Sequence, residues 1–332
     1  MSINLMCAGD LMTGENVHHF HRGIVTKFKG RYPDLISEDA RNLIGKAEIL
    51  LLNYEASLAP DSEMNSYNIE RGVYVAPLES LELLKSLKTG LIVNVANNHF
   101  GQHGSESAKY TIRKLEENGI RVIGKNNMPL ILNLGETKSY FWGCSLVKDK
   151  YYNGSYFKSG YDTLVNDLKL PVKESGDIWI LSIHWGEEYY TLQNSAQRQL
   201  AEKLSQAGFD FIIGHHPHVV QPVEIIGNTK VMYSLGNFIF DQNFSGLTQT
   251  GLVSHISFVN MEMKLFFSKQ ENYRLIDFKI TSEPALKEFC KGNFHPRKPL
   301  LMRIRMKLEL VYRFYELNGA ILRAFSSRLF GA

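Results

Sequence analysis

Covalent cross-links have little to work with in this chain: among 332 residues, cysteine occurs only at Cys7, Cys144 and Cys290. An odd count at wide spacing gives neither a disulfide framework nor a zinc knuckle. Cys7 and Cys144 lie in apolar, strand-like runs, so buried free thiols in a reducing compartment are expected. No stretch approaches ~18 uncharged apolar residues, which argues against a spanning helix. The N-terminus shows no basic segment followed by a long apolar one, so no secretory leader is expected. Together these predict a cytoplasmic protein. The formal net charge of +3 is too small for a nucleic-acid binder. Internal repeats and low-complexity linkers are also missing, while an apolar fraction of 44% is ordinary for a globular chain and excludes disorder.

What is present is an alternation of strand and helix signals. Apolar strand-like runs occupy residues 3–10, 49–55, 91–99, 178–186 and 211–219. Between them, residues 35–47, 77–87, 105–118 and 195–207 carry apolar side chains at helical spacing. Pro77 near a start, and Gly90, Gly119 and Gly208 after ends, punctuate them. This rhythm predicts a parallel or mixed sheet covered by helices, with its ligand site beyond the carboxyl ends of the strands. Strand signals at 230–234, 252–259, 264–268 and 274–281 predict a second antiparallel sheet or a β-rich flank.

The strand ends carry the chemistry. Asp10, Glu55, the Asn97-Asn98-His99 run, His184 and the His215-His216-Pro217-His218 run each close an apolar strand. Carboxylate, amide and imidazole donors gathered at one sheet edge are the ligand set of a two-metal hydrolase site. His18, His19 and His21 have no strand before them and read as a solvated or rim loop.

The ordered motifs Gly9-Asp10-Leu11-Met12, Asn53-Tyr54-Glu55, Ala96-Asn97-Asn98-His99, His184-Trp185-Gly186-Glu187-Glu188-Tyr189, Gly214-His215-His216-Pro217-His218 and Tyr233-Ser234-Leu235-Gly236-Asn237-Phe238 resemble the CapA family. That family of bacterial capsule and poly-γ-glutamate synthesis proteins is similar to the calcineurin-like metallophosphoesterases. The resemblance spans roughly residues 3–245. It implies an α/β, metallophosphatase-like, four-layer αββα sandwich holding two divalent metal ions, with Mn, Fe, Zn and Mg all open. It also implies that Asp10, Glu55, Asn98, His184, His216 and His218 are metal ligands and that His99 faces substrate as the catalytic residue. Glu188, Tyr189, His215 and Asn237 are placed against substrate or behind the ligands. Gly236, Asn237 and Asp241 are also read as shaping a turn beside the site rather than binding metal. Met12 stands where the superfamily often has His, and Gln102 where CapA-like chains usually carry Asp.

The function so implied is a metal-dependent hydrolase or transferase of capsule or surface-polymer biosynthesis. Its substrate is an anionic polymer or another phosphorylated or carboxylated molecule, and amide-bond chemistry on a γ-linked polymer is a further option. The alternative is a non-hydrolytic, metal-binding accessory or scaffold of a membrane-associated synthase. From Arg297 onward, eight Lys/Arg face two Asp/Glu, a net of +6. Leu301, Ile304, Leu308, Val311 and Tyr315 recur at helical spacing there. Residues 1–290 are therefore read as the catalytic-type domain and 291–332 as a basic amphipathic helical tail. The tail packs on the core, forms a homodimer contact, or lies peripherally on the inner membrane.

Overall fold

The computed structural model describes residues 4–14, 23–60 and 74–294, with Leu300, Leu301, Arg303, Ile304 and Leu308 beyond them. The His18, His19 and His21 cluster and most of the expected tail lie outside the described residues.

Two sheets form the centre. The first runs in the order β16 (Arg274–Thr281), β15 (Met263–Glu271), β14 (Thr250–Ser257), β1 (Asn4–Leu11), β2 (Ile49–Tyr54), β5 (Gly90–Asn94) and β6 (Arg121–Ile123). A short strand, β13 (Asn237–Ile239), also pairs with the end of β1. The second sheet runs β11 (Val223–Ile226), β12 (Thr229–Met232), β10 (Phe211–His215), β9 (Ile178–His184), β8 (Thr137–Ser145) and β7 (Leu130–Leu134). A separate pair joins β3 (Ser57–Ala59) to β4 (Val75–Pro77).

Side-chain alternation along the central strands builds the layers. Leu5 and Cys7 of β1, Ile49 and Leu51 of β2, Phe141 of β8, Ile180 of β9 and Phe211 and Ile213 of β10 meet in one core between the sheets. The alternate residues turn the other way. Met6, Ala8, Leu50 and Leu52 pack in a second core with Ala40, Ala108 and Leu115 of the helices Glu38–Ile44 and Ser105–Glu117. Trp142, Trp179, Leu181 and Ile212 pack in a third with Leu200 and Leu204 of the helix Ser195–Gln206. A strand buried on both faces must be apolar at every position, which is why these strands read as continuous apolar runs. The result is helix, sheet, sheet, helix: the αββα sandwich expected of a metallophosphatase-like chain. Cys7, Cys144 and Cys290 are buried free thiols.

The strands beyond residue 228 make no separate sheet; three of them form the antiparallel, β-rich flank of the first. β14 pairs antiparallel with β1 and, with β15 and β16, extends the first sheet. β12 pairs parallel with β10 and extends the second. Period-two patterning specifies a face but not which edge receives it. The helix expected at 35–47 is a 3-10 turn, Tyr32–Leu35, followed by the helix Glu38–Ile44, with Ser37 as its cap. The helix Glu283–Asn293 buries Leu286 and Cys290 against the inter-sheet core and runs through residue 290. Among the described residues, no helix is long and apolar enough to cross a membrane.

Candidate metal centre

The parallel register brings the strand ends together. Asp10 is held at the end of β1 by its amide, which donates to Gly236 O at 2.9 Å. Glu55 follows β2, its amide donating to Leu11 O at 2.8 Å. His184 and His215 close the adjacent strands β9 and β10 in direct register. The approach of backbone to backbone leaves no room for side chains at two glycines. A Cβ on Gly9 would sit 1.9 Å from Gly236 O, and one on Gly214 would sit 2.0 Å from Tyr233 O.

Both carboxylates are wholly buried, and among the described residues no Lys or Arg pairs with either. Their partners are imidazoles, the Asn53 side-chain amide and the His216 backbone amide. Asn53 Nδ2 donates to Asp10 Oδ1 at 2.8 Å and to Glu55 Oε1 at 2.7 Å, bridging the two acids. Its Oδ1 accepts from Asn97 Nδ2 at 3.2 Å, and Asn97 also donates to Tyr54 O at 2.9 Å. His184 Nδ1 lies 3.5 Å from Glu55 Oε1, and its Nε2 is 2.8 Å from Asn98 Oδ1. His218 Nδ1 stands 3.4 Å from Asp10 Oδ2 and 2.9 Å from Asn237 Oδ1, while its Nε2 is 3.9 Å from Glu55 Oε2. His99 Nε2 is 3.7 Å from Glu55 Oε2.

Two compact groups emerge, Asp10 with Glu55 and His184, and Glu55 with His99 and His218, each with donor atoms within 4.8 Å of one another. Glu55 belongs to both, the position of a carboxylate shared by two ions. His216 enters neither group; its ring lies 4.7 Å from that of His184, and its amide donates to Asp10 Oδ2 at 3.3 Å. His215 lies closer than its expected supporting place implied, with Nδ1 3.2 Å from Asp10 Oδ1. Its Nε2, Glu55 Oε2 and His216 Nδ1 are buried without a hydrogen-bond partner. Polar atoms so buried cost about 1–3 kcal/mol each unless something satisfies them. Carboxylate oxygen, amide oxygen and imidazole nitrogen at these separations fit divalent cations.

The electrostatics point the same way. Burial opposes ionisation of Asp10, yet His215 and His218 outweigh it and hold the carboxyl well below the usual range. Burial, with the charge of Asp10 added, pushes Glu55 well above it. Burial also opposes the charged form of His218, but Glu55 and Asp10 raise it to about 10. Burial and the neighbouring His218 charge lower His99 to about 4 and His216 to about 3. Burial and then His216 depress His184. Among the described residues the buried acids thus rely on imidazoles rather than Lys or Arg, a place a bound cation would take.

The backbone is strained where the donors sit. Tyr189, His216 and His218 have φ of 68°, 99° and 57°. Such conformations cost on the order of 1–3 kcal/mol each and cluster at working sites. Tyr189 is pinned by its amide donating to Pro217 O at 2.8 Å, and its ring lies 6.3 Å from that of His218. Gln242 links Tyr189 to Asn237, its Nε2 3.4 Å from the phenol and its Oε1 3.4 Å from Asn237 Nδ2. Asn237 therefore stands behind His218, its Oδ1 2.9 Å from Nδ1. Asp241 is fully buried beside Tyr74 rather than only shaping a turn. Glu188 is half-buried at the rim, facing Arg303.

Sequence reasoning gave no role to Asn53, although its place two residues before Glu55 puts both on one face of β2. It also missed Tyr74, whose ring meets His99 edge-on at 4.9 Å; the three-residue strand Val75–Pro77 that follows it is too short to show a period. Gln102 lies beside His99 and favours its protonated form, taking the place of the usual acid. Met12 packs into the helix-side core, and its Sδ accepts from Gly14 N at 3.0 Å.

Residues 4–242 match the family described as bacterial capsule synthesis protein PGA_cap. The capsule biosynthesis protein CapA of Bacillus anthracis is 26% identical over 269 residues, 76% of this chain and 63% of that one. The PGA biosynthesis protein CapA of Bacillus subtilis (strain 168) is 28% identical over 267 residues, 74% of this chain and 66% of that one. The chain thus spans a little under two thirds of the length of these relatives. Among solved structures, the 5'-nucleotidase of Candida albicans SC5314 aligns with a TM-score of 0.47 and 12% identity, over 92% of this chain and 56% of that one. With 4–242 matched and the six motifs in order along two packed sheets, the chain belongs to the PGA_cap family of bacterial capsule synthesis proteins.

Proposed function

We propose that this chain is a metal-dependent hydrolase or transferase acting on an anionic polymer, capsular or poly-γ-glutamate-like, during surface-polymer synthesis. The observation that carries the reading is the pair of donor groups sharing Glu55 at the strand ends. Asp10, Glu55, Asn98, His184 and His218, joined by His215 or His216, would hold two divalent ions. When bound, the ions supply charge neutralisation and an activated water near neutral pH. The chain's own residues supply position. Asn53 fixes the two carboxylates, and Asn237 fixes the tautomer of His218 by occupying Nδ1. His99, the outermost member of the second donor group, is partly open to solvent like Asn98, its side chain 16% exposed where Asp10, Glu55, His184 and His218 are almost fully enclosed. It is placed to hydrogen-bond the substrate anion or pass a proton to the leaving group. Tyr74 packs against its ring and Gln102 lies beside it.

The Bacillus relatives are named for capsule and PGA biosynthesis, which supports the polymer as substrate class. Metal analysis of the purified protein, with a panel of phosphodiesters, phosphomonoesters and γ-glutamyl oligomers, tests the reading. It fails if no divalent metal binds and His99→Ala and His216→Ala leave all function intact. Met12 favours a second reading, since a core methionine stands where a ligand is usual in the superfamily. In that reading the chain binds metal as an accessory of a polymer synthase, and metal-ligand variants still support polymer production.

A further inference from the structure

Arg303 lies outside the matched residues 4–242 and yet returns to the centre. Its Nη2 is 4.0 Å from Glu188 Oε2. Glu188 directly precedes Tyr189, the strained residue whose ring faces His218. The Arg303 charge is felt inside the site, where it acts on both His216 and Tyr189. Among the described residues it is the one Lys or Arg in an ion pair with Asp10, Glu55 or Glu188.

The pair with Glu188 is loose. At 4.0 Å, with the side chains 48% and 32% exposed, it is screened by water and worth little. Core packing does not explain the position either, because neighbouring Leu300, Leu301 and Ile304 are 59%, 61% and 43% exposed. A guanidinium held weakly at the mouth of a site is free to exchange its partner for a better one. It offers five donors in a planar fork that matches an oxyanion in two places at once.

We propose that Arg303 is the anion-recognition residue of this centre, held ready by Glu188 and released to a carboxylate or phosphate of the substrate. The proposal rests on the reading of the site as a metal centre for an anionic polymer.

The test is calorimetric binding to the full-length, manganese-loaded chain. Inorganic phosphate is one probe and glutarate the other, so the two sources of oxyanion are told apart. Arg303→Ala should weaken the preferred anion by about tenfold, the loss of one charge-assisted contact. Arg303→Lys should recover part of that loss, and Glu188→Gln should tighten binding by freeing the guanidinium. Added salt should weaken wild-type binding more steeply than that of Arg303→Ala. Manganese content should stay the same throughout. Wild-type affinity in Arg303→Ala overturns the proposal, as does binding of neither anion by manganese-loaded wild-type protein. Loss of manganese together with the anion also overturns it, because Arg303 would then be holding the fold. Wild-type protein that takes up no manganese defeats the metal reading itself, and the proposal with it.

Discussion

Replacing Asn53 by alanine should expose how the chain keeps two acids buried together. The Asn53 amide donates to Asp10 at 2.8 Å and to Glu55 at 2.7 Å, and both acids are fully enclosed. Hydrogen bonds to charged groups contribute about 1.5–3 kcal/mol each. Asn53→Ala removes both, and with them the bond that Asn97 Nδ2 donates to Asn53 Oδ1 at 3.2 Å, leaving Asn97 its bond to Tyr54 O. The expected cost in metal-free protein is about 3–5 kcal/mol, since the two acids would then keep only His218 as a shared donor. Divalent ions give the same carboxylates a cationic partner and bind only the folded chain, so the deficit should narrow by about 1 kcal/mol or more with metal present. Urea unfolding of wild type and variant, in chelator and in manganese, measures both quantities. A deficit under about 1 kcal/mol in chelator refutes the bridging role. An equal deficit in both conditions refutes the claim that ions sit against these acids.

Metal affinity should rise between about pH 6 and pH 9, because ions must displace protons. Burial works against a charged His218, but Glu55 and Asp10 lift it to about 10; burial and Asp10 raise Glu55. Calorimetry in buffers of different ionisation enthalpy should therefore show proton release on metal binding, and the absence of release contradicts the assignment. Gly214→Ala should abolish soluble expression or cost several kcal/mol in urea unfolding, as its Cβ would meet Tyr233 O at 2.0 Å and Trp185 Nε1 at 2.6 Å. Met12→Leu should cost less than about 1.5 kcal/mol and leave metal content unchanged, since Met12 is core packing. A drop in bound metal would show that Met12 acts at the site.

Most of the site was legible because strands advertise their ends. An apolar run buried on both faces gives way where polar residues find one another at the strand ends, and Asp10, Glu55 and His184 mark those places. The αββα layering was implied by the resemblance and is built by the alternation of Leu5 and Cys7 against Met6 and Ala8. Edge assignment was not legible. Nothing in the period of β14 says that it adds to β1, because antiparallel partners are chosen by tertiary fit. The roles of Asn53 and His215 were hidden for a similar reason. Each depends on a distance to Asp10, across neighbouring strands for Asn53 and between the two sheets for His215, which spacing along one strand does not contain. His216, expected to ligate from the final His-x-His, has a φ of 99°, its ring 4.7 Å from that of His184 and its amide donating to Asp10, an arrangement that spacing does not contain.

The central claim is that Glu55 is shared by two ions. Elemental analysis of the chain after manganese loading and removal of free metal tests it most directly, with Glu55→Gln and His184→Ala beside the wild type. Close to two ions per wild-type chain are expected, with Glu55→Gln losing both and His184→Ala losing one in preference. Wild-type protein that retains no ion, or a Glu55→Gln variant that retains the wild-type complement, would contradict it.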